Sequence, residues 1–209
     1  VYGNVAIMLP MVSAMDEVQQ VRRIMQEMHQ ELSAQNLQHA PELPLGVMIE
    51  TPAAALICDA LARECDFFSI GTNDLIHYIM GIDRNNRHVA YLNEPLHPAV
   101  VRSLKHIVDA AHREGIGVSV CGELASDPLG MALLLGMGVD TISAAPRFVP
   151  GLKHLIRQLS AETCMELAHS VLMSTDVAAS RRMVREQLHQ SLGPELAFHT
   201  TSLLIHSQP

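Results

Sequence analysis

Short apolar runs alternate with longer amphipathic segments through most of this chain, and that alternation limits the folds open to it. Five runs have the length and the β-branched or apolar character of buried strands: residues 5–9, 45–49, 67–70, 116–120 and 141–143. Strand and helix in regular alternation predict right-handed crossovers and a parallel sheet. The pattern therefore predicts an α/β fold, and both a doubly wound sheet and a (β/α)8 barrel fit it.

The segments between these runs carry helix signals of their own. Apolar residues recur every three or four positions after the first run, and Ser13 stands where an N-cap is expected. Thr51 followed by Pro52 has the form of an N-cap and a first helical residue. A helix over residues 98–114 is predicted to end at Gly115, because glycine tolerates the left-handed backbone found at helix C-termini.

The strand pattern stops after Pro150. Residues 151–193 are predicted to form two or three helices, and a polar, histidine-containing tail follows them. Glycine and proline lie at turns and are not pooled in a linker, so the sequence gives no sign of a second folded domain.

Composition excludes several classes of protein. The chain has 209 residues, 48% of them hydrophobic and 17% charged, which is typical of a globular domain able to bury a core. No apolar stretch approaches the ~20 residues that cross a bilayer. The formal charge of −8 argues against nucleic acid or an anionic membrane as the main partner. Four cysteines without zinc-like or disulfide-rich spacing lead us to expect a reduced, cytoplasmic protein.

Candidate functional residues follow the predicted strands, because ligands of parallel α/β folds bind at the carboxyl ends of strands. Glu50 and Asp74 leave neighbouring strands, and in a barrel their carboxylates would face the same mouth. Two hard oxygen ligands with open positions for water and substrate suit Mg²⁺. The alternative is that Glu50 caps its helix and that Asp74 is a first-turn carboxylate stabilised by the helix dipole.

Three further features lie at or near these strand ends. The turn 71–74 begins with glycine and enters a helix at Asn73 and Asp74, a geometry that receives phosphate groups but is also common in proteins without ligands. Arg84 is either a bidentate clamp for phosphate or a solvated surface group. Cys121 is either a general acid or a small apolar core residue.

Taken in order, these segments resemble one family. The sequences GVMIETPAA (46–54), FFSIGTNDL (67–75), DRNN (83–86) and CGELA (121–125) are similar to those of PEP-utilising enzymes. The similarity is best to enzyme I of the bacterial sugar phosphotransferase system and to its multidomain and nitrogen-related paralogues. It runs from about residue 5 to about residue 175.

The resemblance implies a PEP-binding (β/α)8 barrel and a role for each candidate residue. Glu50 and Asp74 would bind Mg²⁺, Asn73 and Asp74 would meet the phosphate of PEP, and Arg84 would neutralise it. Cys121 would protonate the enolate that remains, giving pyruvate. The phosphoryl acceptor is a histidine on a separate N-terminal domain, which passes the group to the phosphocarrier protein HPr or an HPr-like domain. A homodimer is also implied.

The chain also departs from the family pattern. Five predicted strands leave three of eight unaccounted for, so we expect a partial barrel over residues 1–175 and a C-terminal helix and tail over residues 176–209. The opening residue, Val1, predicts further sequence upstream. Other clamping arginines of the family would lie there, so the 209 residues alone are expected to bind PEP poorly and to transfer no phosphate.

Two other functions remain open. A lyase of the citrate lyase β type, within the PEP/pyruvate superfamily, also uses a barrel, a Glu/Asp pair and Mg²⁺ around an enolate. A non-catalytic dimerisation or regulatory module is the second alternative.

Overall fold

The computed structural model describes residues 4–83, 86 and 88–192. Its strands are β1 (Ile7–Leu9), β2 (Leu45–Ile49), β3 (Phe67–Gly71), β4 (Gly117–Cys121) and β5 (Thr141–Ile142). Its α-helices are α1 (Met15–Ala34), α2 (Pro52–Leu56), α3 (Cys58–Arg63), α4 (Thr72–Met80), α5 (Pro98–Arg113), α6 (Glu123–Ser126), α7 (Pro128–Met137), α8 (Val149–Ile156), α9 (Ala161–Met173) and α10 (Val177–Leu192). A single 3-10 turn spans Ala90–Leu92.

The five strands form one parallel sheet whose spatial order follows the chain order. A doubly wound sheet reverses its strand order at a switch point, and this sheet does not. Right-handed crossovers that always advance in one direction place their helices on one face, as in a barrel. The α/β fold of the partial-barrel type is therefore confirmed, and β1 and β5 are the two edges of an unclosed sheet.

The two faces of the sheet differ in burial. Side chains alternate between faces along a strand, and one set is at most 1% exposed: Val47, Ile49, Phe68, Ile70, Val118 and Val120. Helix α5 packs on β3 and β4 with an apolar stripe that includes Leu104 and Ile107. Apart from Phe67 at the start of β3, the opposite face carries smaller or sulfur-containing residues: Gly46, Met48, Ser69, Gly71, Ser119 and Cys121. Gly71 and Cys121, on this face, are the last residues of β3 and β4.

Carboxylates at the amino ends of the strands fix the register. The carboxylate of Asp66, just before β3, accepts a hydrogen bond from the N–H of Leu45 at 2.7 Å. The carboxylate of Asp140, just before β5, accepts one from the N–H of Val118 at 2.8 Å and a second from His112 at 3.0 Å. Each carboxylate thus satisfies a backbone N–H group at the start of a neighbouring strand or one residue into it, which makes this end of the sheet structural.

The C-terminal helices form a layer outside the sheet. Helix α7 is apolar on all sides and is almost wholly buried, because α9 and α10 pack against it. Gly136 allows the close approach, since a Cβ atom there would collide with the backbone carbonyl of Cys164. Among the described residues, helices α8 to α10 occupy Val149 to Leu192, in agreement with the two or three helices predicted for residues 151–193. Residues 193–209 lie outside the described residues, and the division at residue 175 stays a prediction.

The structure confirms one of the two predicted helix N-caps. Thr51 caps α2, since its hydroxyl oxygen accepts a hydrogen bond from the N–H of Ala54 at 3.0 Å. The prediction that Ser13 caps α1 is wrong. The Glu17 carboxylate instead accepts hydrogen bonds from the N–H groups of Ser13 and Ala14 at 2.7 and 3.0 Å. The N-cap residue is Ala14, so α1 begins one residue later than a Ser13 cap requires.

A search of the described helices finds none long and apolar enough to span a membrane.

Candidate active site at the carboxyl ends of the strands

Glu50 leaves β2 and folds back over the neighbouring strand. It is only 4% exposed, and its Oε1 accepts a hydrogen bond from the N–H of Met11 at 2.8 Å. Ile49 pairs with Ile70, which sets Glu50 beside Gly71. A Cβ atom on Gly71 would lie 2.7 Å from Glu50 Oε2, so the carboxylate occupies the space that a side chain there would need. Glu50 does not cap α2, because Thr51 does.

The turn after β3 is tied to the turn after β4. Thr72 is fully buried, and its hydroxyl donates to the carbonyl oxygen of Cys121 at 2.8 Å. Asn73 Oδ1 accepts a hydrogen bond from the N–H of Glu123 at 2.9 Å. Gly122 makes this possible, because its φ of 103° is left-handed and a Cβ there would lie 2.9 Å from Asn73 Oδ1. The two turns therefore form one rigid unit.

Asp74 lies in the first turn of α4 and is partly exposed. This position agrees with a first-turn carboxylate stabilised by the helix dipole, and equally with a metal ligand at the mouth of a barrel. Its charge reaches Cys121, where both Asp74 and Glu50 raise the pKa of the thiol. Two carboxylates predicted from separate strand ends thus act on the thiol predicted from a third.

Cys121 ends β4 on the less buried face of the sheet, and its thiol donates to the carbonyl oxygen of Ile70 at 3.6 Å. Burial is the largest cause of its raised pKa, a hydrogen bond with Ser69 lowers that pKa, and the carboxylates of Glu50 and Asp74 raise it further. The net shift is upward, so the thiol keeps its proton at neutral pH. This state suits a proton donor and does not suit a nucleophile.

A cleft of about 880 Å³ opens beside Cys121. The turns after β3, β4 and β5 line it with these residues: Asn73, Cys121, Gly122, Glu123, Ser126, Asp127, Pro128, Ser143, Ala144, Ala145, Arg147 and Phe148. Arg147 is not among the site residues predicted from the sequence. The sequence gives only a weak indication of its role. Arg147 follows β5 by five residues, and a two-residue strand is too short for its periodicity to show which positions face a ligand.

Arg84 lies outside the described residues, so its predicted contact with phosphate stays a prediction. Within the described part of the chain, no group of three or more His, Cys, Asp and Glu side chains is placed to hold a metal. Mg²⁺ does not require such a cluster, because it is often bound by one or two carboxylates together with waters and substrate oxygens. Glu50 and Asp74 fit that mode of binding.

Comparison with known proteins identifies the family. The family model described as "PEP-utilising enzyme, PEP-binding domain" matches residues 1–161. The chain belongs to this family. A phosphoenolpyruvate-protein phosphotransferase of Bacillus sp. (strain S) is 44% identical over 172 residues, which cover 82% of this chain and 30% of that protein. A multiphosphoryl transfer protein of Escherichia coli O6:H1 is 41% identical over 167 residues, which cover 80% of this chain and 20% of that protein.

The chain therefore spans less than a third of the length of these relatives. Among solved structures, a citrate lyase from Burkholderia xenovorans LB400 is similar with a TM-score of 0.55 and 18% identity, covering 93% of this chain and 67% of that chain. At that identity the likeness shows the fold alone. The resemblance to PEP-utilising enzymes is thus confirmed by sequence, whereas the citrate lyase shares architecture only.

Proposed function

We propose that this chain is the part of a phosphoenolpyruvate-protein phosphotransferase that binds PEP and Mg²⁺ and helps convert PEP to pyruvate. The observation that carries the proposal is the convergence of Glu50, Asp74 and Cys121: two carboxylates and a protonated thiol leave three adjacent strands and interact electrostatically. Family membership supplies PEP as the ligand.

Glu50 and Asp74 would hold the Mg²⁺. When bound, the ion stabilises negative charge on the substrate as the bond between oxygen and phosphorus breaks. Glu50 is the preorganised ligand. Its carboxylate accepts a hydrogen bond from the N–H of Met11 and fills the space that a side chain on Gly71 would need, and together these contacts favour one orientation. Asp74 is partly exposed and would complete the pair from the first turn of α4.

The turn formed by Asn73 and Asp74 would meet the phosphate of PEP. Asn73 is held in place by its bond to the N–H of Glu123, and the N-terminus of α4 favours negative charge. Arg84 would neutralise the same phosphate. In phosphoryl transfer the protein mainly positions groups and balances charge, so a rigid turn suits this role.

Cys121 would donate a proton to C3 of the enolate of pyruvate. The phosphoryl group would leave for a histidine on another domain, and C3 would take the thiol proton to become the methyl group. Solvent would then reprotonate the thiolate. The raised pKa of Cys121 supports this role, because a donor must hold its proton until the enolate forms. HPr as the onward acceptor, a homodimer and a cytoplasmic location belong to the same proposal.

Mn²⁺, a paramagnetic probe for Mg²⁺ sites, tests the metal assignment through its effect on water proton relaxation. We expect Glu50→Gln and Asp74→Asn each to weaken Mn²⁺ binding by at least about tenfold, since even the loss of a partner outside the ligand set costs 10–100-fold. Asp16→Asn is the matched control, because Asp16 is also a first-turn carboxylate. Unchanged binding in both site variants, or equal weakening in the control, would refute the metal assignment.

A further inference from the structure

The cleft beside Cys121 contains a cation that the proposed function does not use. Arg147 lies in the segment between β5 and α8, and its guanidinium carbon is 4.7 Å from the centroid of the Phe148 ring. Stacking of this kind holds the plane of a guanidinium group while its edge keeps donors for hydrogen bonds. Both side chains line the cleft, so the stacked pair presents a positioned cation to whatever enters it.

The other charged side chains of the lining leave Arg147 available. Asp127 is 3% exposed and caps α7 by accepting hydrogen bonds from the N–H groups of Leu129 and Gly130. Glu123 is exposed to solvent. Among the described residues, Arg147 forms no salt bridge with either carboxylate. Arg147 is the sole Lys or Arg side chain in the described lining.

We propose that Arg147 forms an oxyanion subsite in this cleft, which binds the carboxylate or phosphate group of a small anionic ligand next to Cys121. The subsite rests on the proposed function in one respect: its ligand is the PEP-derived anion whose enolate Cys121 protonates. Ser126 and Ser143 also line the cleft and supply hydroxyl groups of the kind that complete oxyanion binding. Arg147 would be a substrate-binding residue that enters from the β5 side.

Alkylation of Cys121 measures the field of Arg147 without any metal or turnover. Iodoacetate is an anion and iodoacetamide is neutral, but both lose iodide to the same thiolate. A change in the pKa of the thiol alters both rates equally and cancels in their ratio. The ratio of the two rates therefore reports only how strongly the cleft attracts an anionic reagent. The other three cysteines are buried, and burial raises the pKa of Cys58 and Cys65 to about 11, so peptide mapping by mass spectrometry isolates the signal of Cys121.

The 209-residue chain is assayed in EDTA at low ionic strength. In Arg147→Gln we expect the ratio of iodoacetate to iodoacetamide rates to fall about fivefold, the effect on a carboxylate reagent of a unit charge ~4 Å away in water. Arg157→Gln removes the same charge from the exposed end of α8 outside the cleft, and its ratio should stay unchanged. Arg147→Lys keeps the charge and should keep most of the ratio.

An unchanged ratio in Arg147→Gln, or an equal fall in Arg157→Gln, would overturn the subsite. Competitors then identify the anion: pyruvate offers a carboxylate, inorganic phosphate a phosphate, and PEP both. We expect at least one of them to slow alkylation in the original chain and to lose that effect in Arg147→Gln. If pyruvate, phosphate and PEP slow alkylation of Cys121 as much in Arg147→Gln as in the original chain, the proposal is also overturned. Since no metal is present, failure here leaves the Mn²⁺ result untouched, and the reverse is equally true.

Discussion

Gly71→Ala tests the position of Glu50 without changing any charge. Gly71 has a φ of −85°, so alanine fits its backbone without strain. Its new methyl group would lie 2.7 Å from Glu50 Oε2 and 3.0 Å from Glu50 Cβ. These separations are well inside van der Waals contact, and Glu50 has little room to retreat because it is 4% exposed and bonded to the N–H of Met11.

The expected cost follows from these contacts. Overpacking a filled site destabilises a protein by about 1–3 kcal/mol. Replacing glycine with alanine also restricts the unfolded chain, which stabilises by about 0.4–1 kcal/mol where the backbone permits. Gly117→Ala is the control for the overpacking effect. Gly117 lies in β4 of the same sheet, and a Cβ there would have no neighbour nearer than Asp140 Oδ2 at 4.0 Å. The entropy change is common to both variants and cancels.

We therefore expect Gly71→Ala to unfold with a free energy about 1–3 kcal/mol lower than Gly117→Ala. The chain has no tryptophan, so far-UV circular dichroism during urea denaturation is the suitable measurement. Displacement of the carboxylate should also weaken Mn²⁺ binding in Gly71→Ala and leave it intact in Gly117→Ala. Equal stability together with equal Mn²⁺ affinity would show that Glu50 does not lie over Gly71.

Two further predictions concern the outer helices and the isolated chain. Arg181 on α10 donates to the buried carboxylate of Glu94, so Arg181→Met should lower the free energy of unfolding by about 3 kcal/mol by stranding that charge. Arg182→Met, at an exposed neighbour, should change it little, and a loss there as large as at Arg181 would contradict the assignment. The purified 209-residue chain should produce no pyruvate from PEP in a coupled assay, and measurable turnover would show that these residues suffice for the reaction.

The sequence predicted most of the strands and several helix ends because their signals are local. Apolar runs of strand length and the Thr51–Pro52 pair depend on nearby residues, and the structure confirms both. Ser13 failed as a cap because α1 begins one residue later, with Ala14 as its N-cap, while Glu17 accepts the N–H groups that precede the helix. Propensity ranks residue types and does not fix a helix start to a single residue.

The arrangement of the site was less predictable because it depends on contacts across strands. Sequence alone placed Glu50 and Asp74 one β/α unit apart, but left open whether the sheet kept or reversed its order. The bond from Thr72 to the carbonyl oxygen of Cys121 joins residues 49 positions apart, and no periodicity encodes it. Arg147 enters the cleft for the same reason: β5 lies beside β4 only after the sheet has formed.

The carboxylates of the sheet show why the chemistry belongs at one edge. At the amino ends, Asp66 and Asp140 accept backbone N–H groups and also face basic side chains, since Arg22 lies 3.7 Å from Asp66 and His112 lies 3.0 Å from Asp140. At the carboxyl ends, neither Glu50 nor Asp74 forms a salt bridge with a described residue. Uncompensated negative charge in a partly buried mouth is unfavourable unless a cation binds there. The fold therefore pairs the carboxylates at the amino ends with its own side chains and leaves Glu50 and Asp74 without a salt bridge among the described residues, which is the arrangement that the proposed metal site requires.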